Sequence, residues 1–134
     1  MIMYMSCAFC EKTYNHDDIL FDNDQVLVML DQDRAVAGHT LVVWKSHVQN
    51  LSDLSPSEAI EFTRVLYETE EKLLQALQLP RSVMLKSGFL ESHFHFHIYP
   101  VTAEMEWEQV LEVINKKVRM GDDNDVMRVK RLFP

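Results

Sequence analysis

Short apolar runs separated by turn residues, with one long helical stripe among them and a second helix after them, predict an α+β domain. Its sheet should have five to six strands, mainly antiparallel. Two stretches carry most of this reading. Residues 93–97 read His-Phe-His-Phe-His, a period of two that sends the histidines to one face of a strand and the phenylalanines to the other. Ser55, Pro56 and Glu58 are an N-cap, a first-turn proline and the far half of a capping box. With 134 residues, 47% of them hydrophobic, the chain is long enough for one domain whose core needs no disulfides.

The elements follow in order. Ile19-Leu20-Phe21 reads as a short strand and residues 25–31 as a second, with Asp22-Asn23-Asp24 as the turn of a hairpin. A loop from Asp31 ends at Gly38, and residues 39–44 form a third strand followed by Lys45-Ser46-His47. The helix that starts at Ser55 places Ile60, Phe62, Val65, Leu66, Leu73, Leu74 and Leu77 on one stripe, and Pro80 stops it. Residues 82–86 are a fourth strand, joined by 87–91 to the histidine strand. Thr102 can cap a second helix over 103–119, with Trp107, Val110, Leu111, Ile114 and Val118 as its apolar face. Residues 121–125 are a polar breaker, and the alternation in 126–133 predicts a final edge strand.

Charge and composition narrow the function. A net charge of −8 argues against a nucleic-acid polymer as partner, since nothing supplies long-range attraction to a phosphate backbone. It leaves room for a small nucleotide in a locally positive pocket. No apolar run approaches a membrane span, and Met1-Ile2-Met3-Tyr4-Met5 lacks the basic region of a signal peptide, so a cytoplasmic protein is expected. The two cysteines, Cys7 and Cys10, form C-x-x-C, which in such a compartment means metal or redox chemistry more often than a structural disulfide. His16 reads as a solvated loop residue.

Five of six histidines fall in two places: His39 and His47 around the third strand, and His93, His95 and His97 on the fifth. Spacing allows two readings. The three imidazoles could chelate one metal in a metal-dependent enzyme, or one could attack phosphorus while its neighbours hold the substrate's oxygens.

A resemblance adds to this. His93-Phe94-His95-Phe96-His97-Ile98-Tyr99 matches the His-φ-His-φ-His-φ-φ motif of the histidine triad (HIT) superfamily. Cys7-Ala8-Phe9-Cys10 resembles the C-x-F-C of its zinc-bearing bacterial-type members. Val28-Met29-Leu30-Asp31, Gly38-His39-Thr40-Leu41-Val42-Val43 and Lys45-Ser46-His47-Val48 are similar to the family's upstream block. The likeness covers about residues 6–101 of a single 1–134 domain, and the nearest branch is the Hint-like one. It implies a HIT-like fold, a homodimer, and a nucleotide hydrolase or transferase acting at an α-phosphate through a nucleotidyl-histidine. Nucleoside phosphoramidates and related purine nucleoside monophosphate derivatives are the leading substrates, with dinucleoside polyphosphates next. Carried over by position, His95 is the nucleophile, and His97 and His39 are its catalytic partners. Asp31 is the ribose carboxylate, Phe9, Met29 and Leu30 line the base pocket, and Cys7, Cys10, His47 and His93 hold a structural Zn²⁺.

The sequence departs from the family pattern near the triad. Lys86-Ser87-Gly88 stands where Asn-x-Gly is expected, and the loop to His93 is short. Leu90 occupies the place of a Ser/Thr that helps protonate the leaving group. Lys86 and Ser92 are the residues expected to stand in as substrate contacts. Trp44 replaces the common proline, and Val101 the expected arginine. These changes keep open a second possibility, a nucleotide-binding regulatory or scaffold protein with little activity.

Overall fold

The computed structural model describes residues 7–116 and 123–133. Among them, a short helix α1 (Ala8–Glu11) precedes the strands β1 (Ile19–Asp22), β2 (Val26–Leu30) and β3 (Thr40–Trp44). The long helix α2 (Pro56–Leu77) follows, then β4 (Arg81–Leu85), β5 (His95–Val101), α3 (Trp107–Ile114) and α4 (Asp123–Arg131). The strands form one sheet in the order β1-β2-β3-β5-β4, every neighbouring pair antiparallel. The α+β class and the antiparallel sheet are as the sequence predicts, with five strands.

Strands β2 and β3 are buried on both faces, which is why they read as near-continuous apolar runs rather than alternating ones. Val26, Val28, Leu30, Val42, Trp44, Phe94 and Ile98 meet Phe62, Val65, Leu73 and Leu77 of α2. Phe62 is 1% exposed with its ring 4.8 Å from that of Phe94, and truncating it to alanine should cost about 3–5 kcal/mol. Leu27, Met29, Leu41 and Val43 point to the opposite face, where Phe9, Tyr14 and Ile19 pack on them. The register Val43↔His95 and Leu41↔His97 puts two of the triad imidazoles on that second face.

Helix α2 starts as expected. The Ser55 hydroxyl accepts from the Glu58 N–H at 3.2 Å, and the Glu58 carboxylate accepts from the Ser55 N–H at 2.8 Å. Its end differs: Gln78 turns left-handed (φ 54°), so the helix closes two residues before Pro80. Gly38 holds the entry to β3 against that end. Its φ is +78°, and a Cβ there would lie 2.6 Å from Leu77 Cδ1, so both backbone and packing demand glycine.

Four expectations need correction. The tail over 126–133 is not an edge strand; residues 126–131 belong to helix α4. Val129 is fully buried against the α2 side of the core and Phe133 packs beside it, and apolar residues four apart suit a helix as well as a strand. Packing on α2 decides between them, and Arg128, Lys130 and Arg131 in the last turn suit a helix C-terminus. Helix α3 is capped by Glu106 with Gln109, not by Thr102, and it ends at Ile114 rather than Arg119. Residues 117–122, including Val118 and part of the breaker, lie outside the described residues. Trp107 and Leu111 are exposed, so the apolar face of α3 is carried by Val110 and Val113. On α2, Ile60 is 71% exposed, whereas Thr69 is buried with its hydroxyl returned to the Val65 carbonyl at 2.7 Å. No described helix is long and apolar enough to cross a membrane.

Candidate active site and metal centre

The chain enters the site through α1. Cys7 is its N-cap, with its sulfur accepting from the Cys10 N–H at 3.4 Å, so both thiols turn to the same side. They meet His47, which follows β3, and His93, which precedes β5. Cys7 Sγ and Cys10 Sγ lie 3.3 and 3.4 Å from His93 Nδ1. Cys10 Sγ is 3.3 Å from His47 Nδ1, and the two Nδ1 atoms are 3.2 Å apart. Tetrahedral zinc with ordinary Zn–S and Zn–N bonds needs ligand-to-ligand edges of roughly 3.3–3.8 Å, so this cluster fits it. The far nitrogen of His93 supports the same conclusion: Nε2–H donates to the Trp44 carbonyl at 2.5 Å, leaving the Nδ1 lone pair toward the sulfurs. Burial pushes the Cys7 thiol up to about 11, so a thiolate there calls for a cation beside it. The structure thus has a Cys₂His₂ group that can hold a metal ion.

His95 and His97 face the other way along the row. His95 Nδ1–H donates to the His93 carbonyl at 2.6 Å, which leaves the Nε2 lone pair unprotonated. A second chain of bonds orders His97. The Ala35 backbone N–H donates to His39 Nδ1 at 3.3 Å, so the proton of that ring is on Nε2 and is donated to His97 Nδ1 at 2.9 Å. His97 therefore carries its own proton on Nε2. Burial, above all, pushes both His39 and His97 down to about 4, so both are neutral at pH 7. Tyr99 backs them, stacked 4.2 Å from His39 and 5.6 Å from His97. Asp31 Oδ2 lies 3.8 Å from His39 and 4.0 Å from His97. It is held there because the Asp31 N–H donates to the His39 carbonyl at 2.9 Å, while Oδ1 accepts from the Asp33 N–H at 2.7 Å.

A cavity of about 270 Å³ opens over these groups. Its wall includes His95, His97 and Asp31, with Phe9, Tyr14, Met29 and Leu41 as the apolar part. Phe9 stands between the two clusters, 5.4 Å from the His93 ring and 5.1 Å from His95. Of the expected substrate contacts, Asp31, Phe9 and Met29 line the cavity. Leu30 does not: one residue along β2 reverses the face, and its side chain is fully buried under α2. Lys86 instead bonds Asn50 Oδ1, and neither Lys86 nor Ser92 is part of the described cavity wall. Sequence reasoning missed Tyr14, Leu41, Glu91 and Lys116. Tyr14 and Leu41 had a signal in the parity of the strands they pack on; Lys116 had none, because it arrives from the end of α3. The three triad histidines do not converge on one metal. His93 joins the cysteines, and His97 groups with Asp31 and His39. The single-ion version of the metal-dependent reading therefore has no geometry to rest on.

The sequence profile of the HIT domain matches residues 12–104, well over half of the chain. The chain belongs to the HIT family. Members of that family are generally nucleotide hydrolases or transferases. Among relatives, the uncharacterized HIT-like protein SSO2163 of Saccharolobus solfataricus is 29% identical over 106 residues, spanning 73% of this chain and 76% of that one. Two solved structures share the fold. The hypothetical histidine triad nucleotide-binding protein ST2152 of Sulfolobus tokodaii superposes with a TM-score of 0.72 at 16% identity, covering 95% of this chain and 89% of its own. A Zn-bound histidine triad family protein of Mycobacterium smegmatis gives 0.71 at 18%, covering 96% and 93%.

Proposed function

We propose that this HIT protein acts at the α-phosphate of a nucleotide, with His95 as the nucleophile and a nucleotidyl-histidine as intermediate. The observation that carries this reading is the tautomer imposed on His95 by the His93 carbonyl, which leaves Nε2 as the attacking atom. Nε2 bonds to the α-phosphorus as the P–N or P–O bond to the leaving group breaks. The Nε2–H of His97 donates to a non-bridging oxygen, where charge grows in the transition state. Water then attacks the same phosphorus and expels the imidazole. Asp31 accepts from the ribose hydroxyls, and Phe9, Tyr14, Met29 and Leu41 hold the base. Cys7, Cys10, His47 and His93 would hold zinc, which when bound supplies a structural cross-link between α1 and the sheet.

Phosphoramidates of purine nucleoside monophosphates lead as substrates. Asp31, Asp33 and Glu91 line the cavity with Lys116 as the one lysine of its described wall, a balance that disfavours polyphosphates and favours a cationic amine. Leu90 offers no proton at the family's Ser/Thr position, and an amine that protonates on its own nitrogen needs none. The same Leu90 favours, as a second reading, a nucleotide-binding protein of low activity. A homodimer is proposed on family grounds, and α2 leaves Ile60 and Tyr67 exposed for it.

Trapping the intermediate tests the reading. Brief reaction with an adenosine phosphoramidate should add one AMP to the protein, on His95, with no adduct in His95→Ala. Hydrolysis that persists in His95→Ala would overturn it. AMP binding without adduct or turnover would favour the second reading. Sedimentation of the wild type and of Ile60→Glu checks the dimer.

A further inference from the structure

The site carries a residue for which the histidine motif has no counterpart. Helix α3 ends at Ile114, and Lys116 follows in the left-handed region (φ 63°), its N–H bonded to the Val113 carbonyl at 3.0 Å. A non-glycine residue seldom takes that conformation without a local reason. Here it brings the side chain from the far end of the domain onto the cavity wall, beside Asp31, Gln32, Asp33 and His97. Its Nζ donates to Asp33 Oδ2 at 2.9 Å, and both groups are about half exposed. Asp33 is in turn tied through its N–H to Asp31 Oδ1.

Lys116 therefore stands beside Asp31, linked to it through Asp33, on the wall of the same cavity. Its charge also contributes, behind burial, to holding His39 and His97 below their ordinary values, which places it on their side of the site. That wall has an acceptor, Asp31, and a donor, Lys116. A vicinal diol needs both, because each hydroxyl gives one hydrogen bond and receives others.

Given the nucleotide reading above, we infer that Lys116 is a specificity-determining residue for ribose: its ammonium leaves Asp33 and donates to the 2′- or 3′-hydroxyl oxygen while Asp31 accepts from the diol. Wild type should then prefer ribonucleotides over both deoxy forms. A site built to bond a hydroxyl discriminates against the analogue that lacks it, because its polar groups lose their partner.

The test is equilibrium binding of AMP, 2′-deoxy-AMP and 3′-deoxy-AMP, alongside adduct formation at His95. Lys116→Met should shrink the ribose preference by about tenfold, the size of one charge-assisted hydrogen bond. Lys116→Arg should restore the preference. Asp33→Asn should keep or enlarge it, since it takes away the carboxylate that competes for Lys116. An unchanged preference in Lys116→Met, or an equal loss in Asp33→Asn, would overturn the inference, the latter by showing that Lys116 only braces the loop. Equal weakening of all three nucleotides would overturn it too, as a general charge effect. Wild type that binds no AMP and forms no adduct would instead bring down the nucleotide reading, and this inference with it.

Discussion

His93 and His97 sit at the two ends of one alternating row, yet their surroundings engage opposite nitrogens of the two rings. At the upstream end, Trp44's carbonyl takes the Nε2 proton of His93, and the Nδ1 lone pair turns to two thiols and a second imidazole. At the downstream end, His39 donates to His97 Nδ1, so the Nε2–H of His97 is what the ring can still offer. In the function proposed above, one end accepts a cation and the other donates to an anion. The difference is made by whichever group holds the far nitrogen of each ring, not by the ring or its place in the motif. His95 lies between them, with Nδ1 bonded to the backbone of the upstream end and Phe9 packed on its ring.

Several experiments can break this division. The largest effect should come from the centre: His95→Ala should lower kcat for an adenosine phosphoramidate by at least about 10³-fold, with zinc content unchanged by metal analysis. Next comes the upstream end alone. Cys7→Ser should lose the metal and lower Tm by roughly 10 °C in calorimetry, yet still form some His95 adduct. If zinc stayed and activity required it, the two ends would not be separate.

Acid should act on the downstream end. His39 and His97 titrate near 4 in the folded protein against an ordinary value of 6.5. Between those values the unfolded chain binds more protons, so stability rises with pH there, is fully present above about 6.5, and is lost as pH falls toward 4. Tm measured from pH 7 to pH 4 should fall, and His39→Gln should flatten that slope while lowering kcat by about 10²-fold through misplacement of His97. A smaller, purely structural effect belongs to Gly38→Ala, next to His39. The left-handed backbone and the contact with Leu77 should cost roughly 2 kcal/mol in chemical denaturation, with zinc content untouched.

Much of this was legible without coordinates. The capping box at Ser55 and the hairpin at Asn23 rest on interactions within a few residues and folded as read, whereas of the histidine row only His95 and His97 lie in β5, with His93 just ahead of it. Asp31 was reachable by position in the motif. What was missed depended on packing. The tail pattern fitted strand and helix equally until α2 received Val129. Leu30 looked like a pocket residue because it adjoins Met29 and Asp31, but neighbours on a strand face opposite sides.

The sequence by itself determined the sheet, the long helix and the donor types, because backbone periodicity and side-chain chemistry are local properties. The tertiary structure decided which nitrogen of each histidine is available. That depends on partners far along the chain: the Trp44 carbonyl for His93, and His39, held by the Ala35 amide, for His97. It also decided that Lys116, from a segment with no motif, stands beside Asp31. A hydrogen bond between distant residues is a product of packing, and no spacing in the chain encodes it.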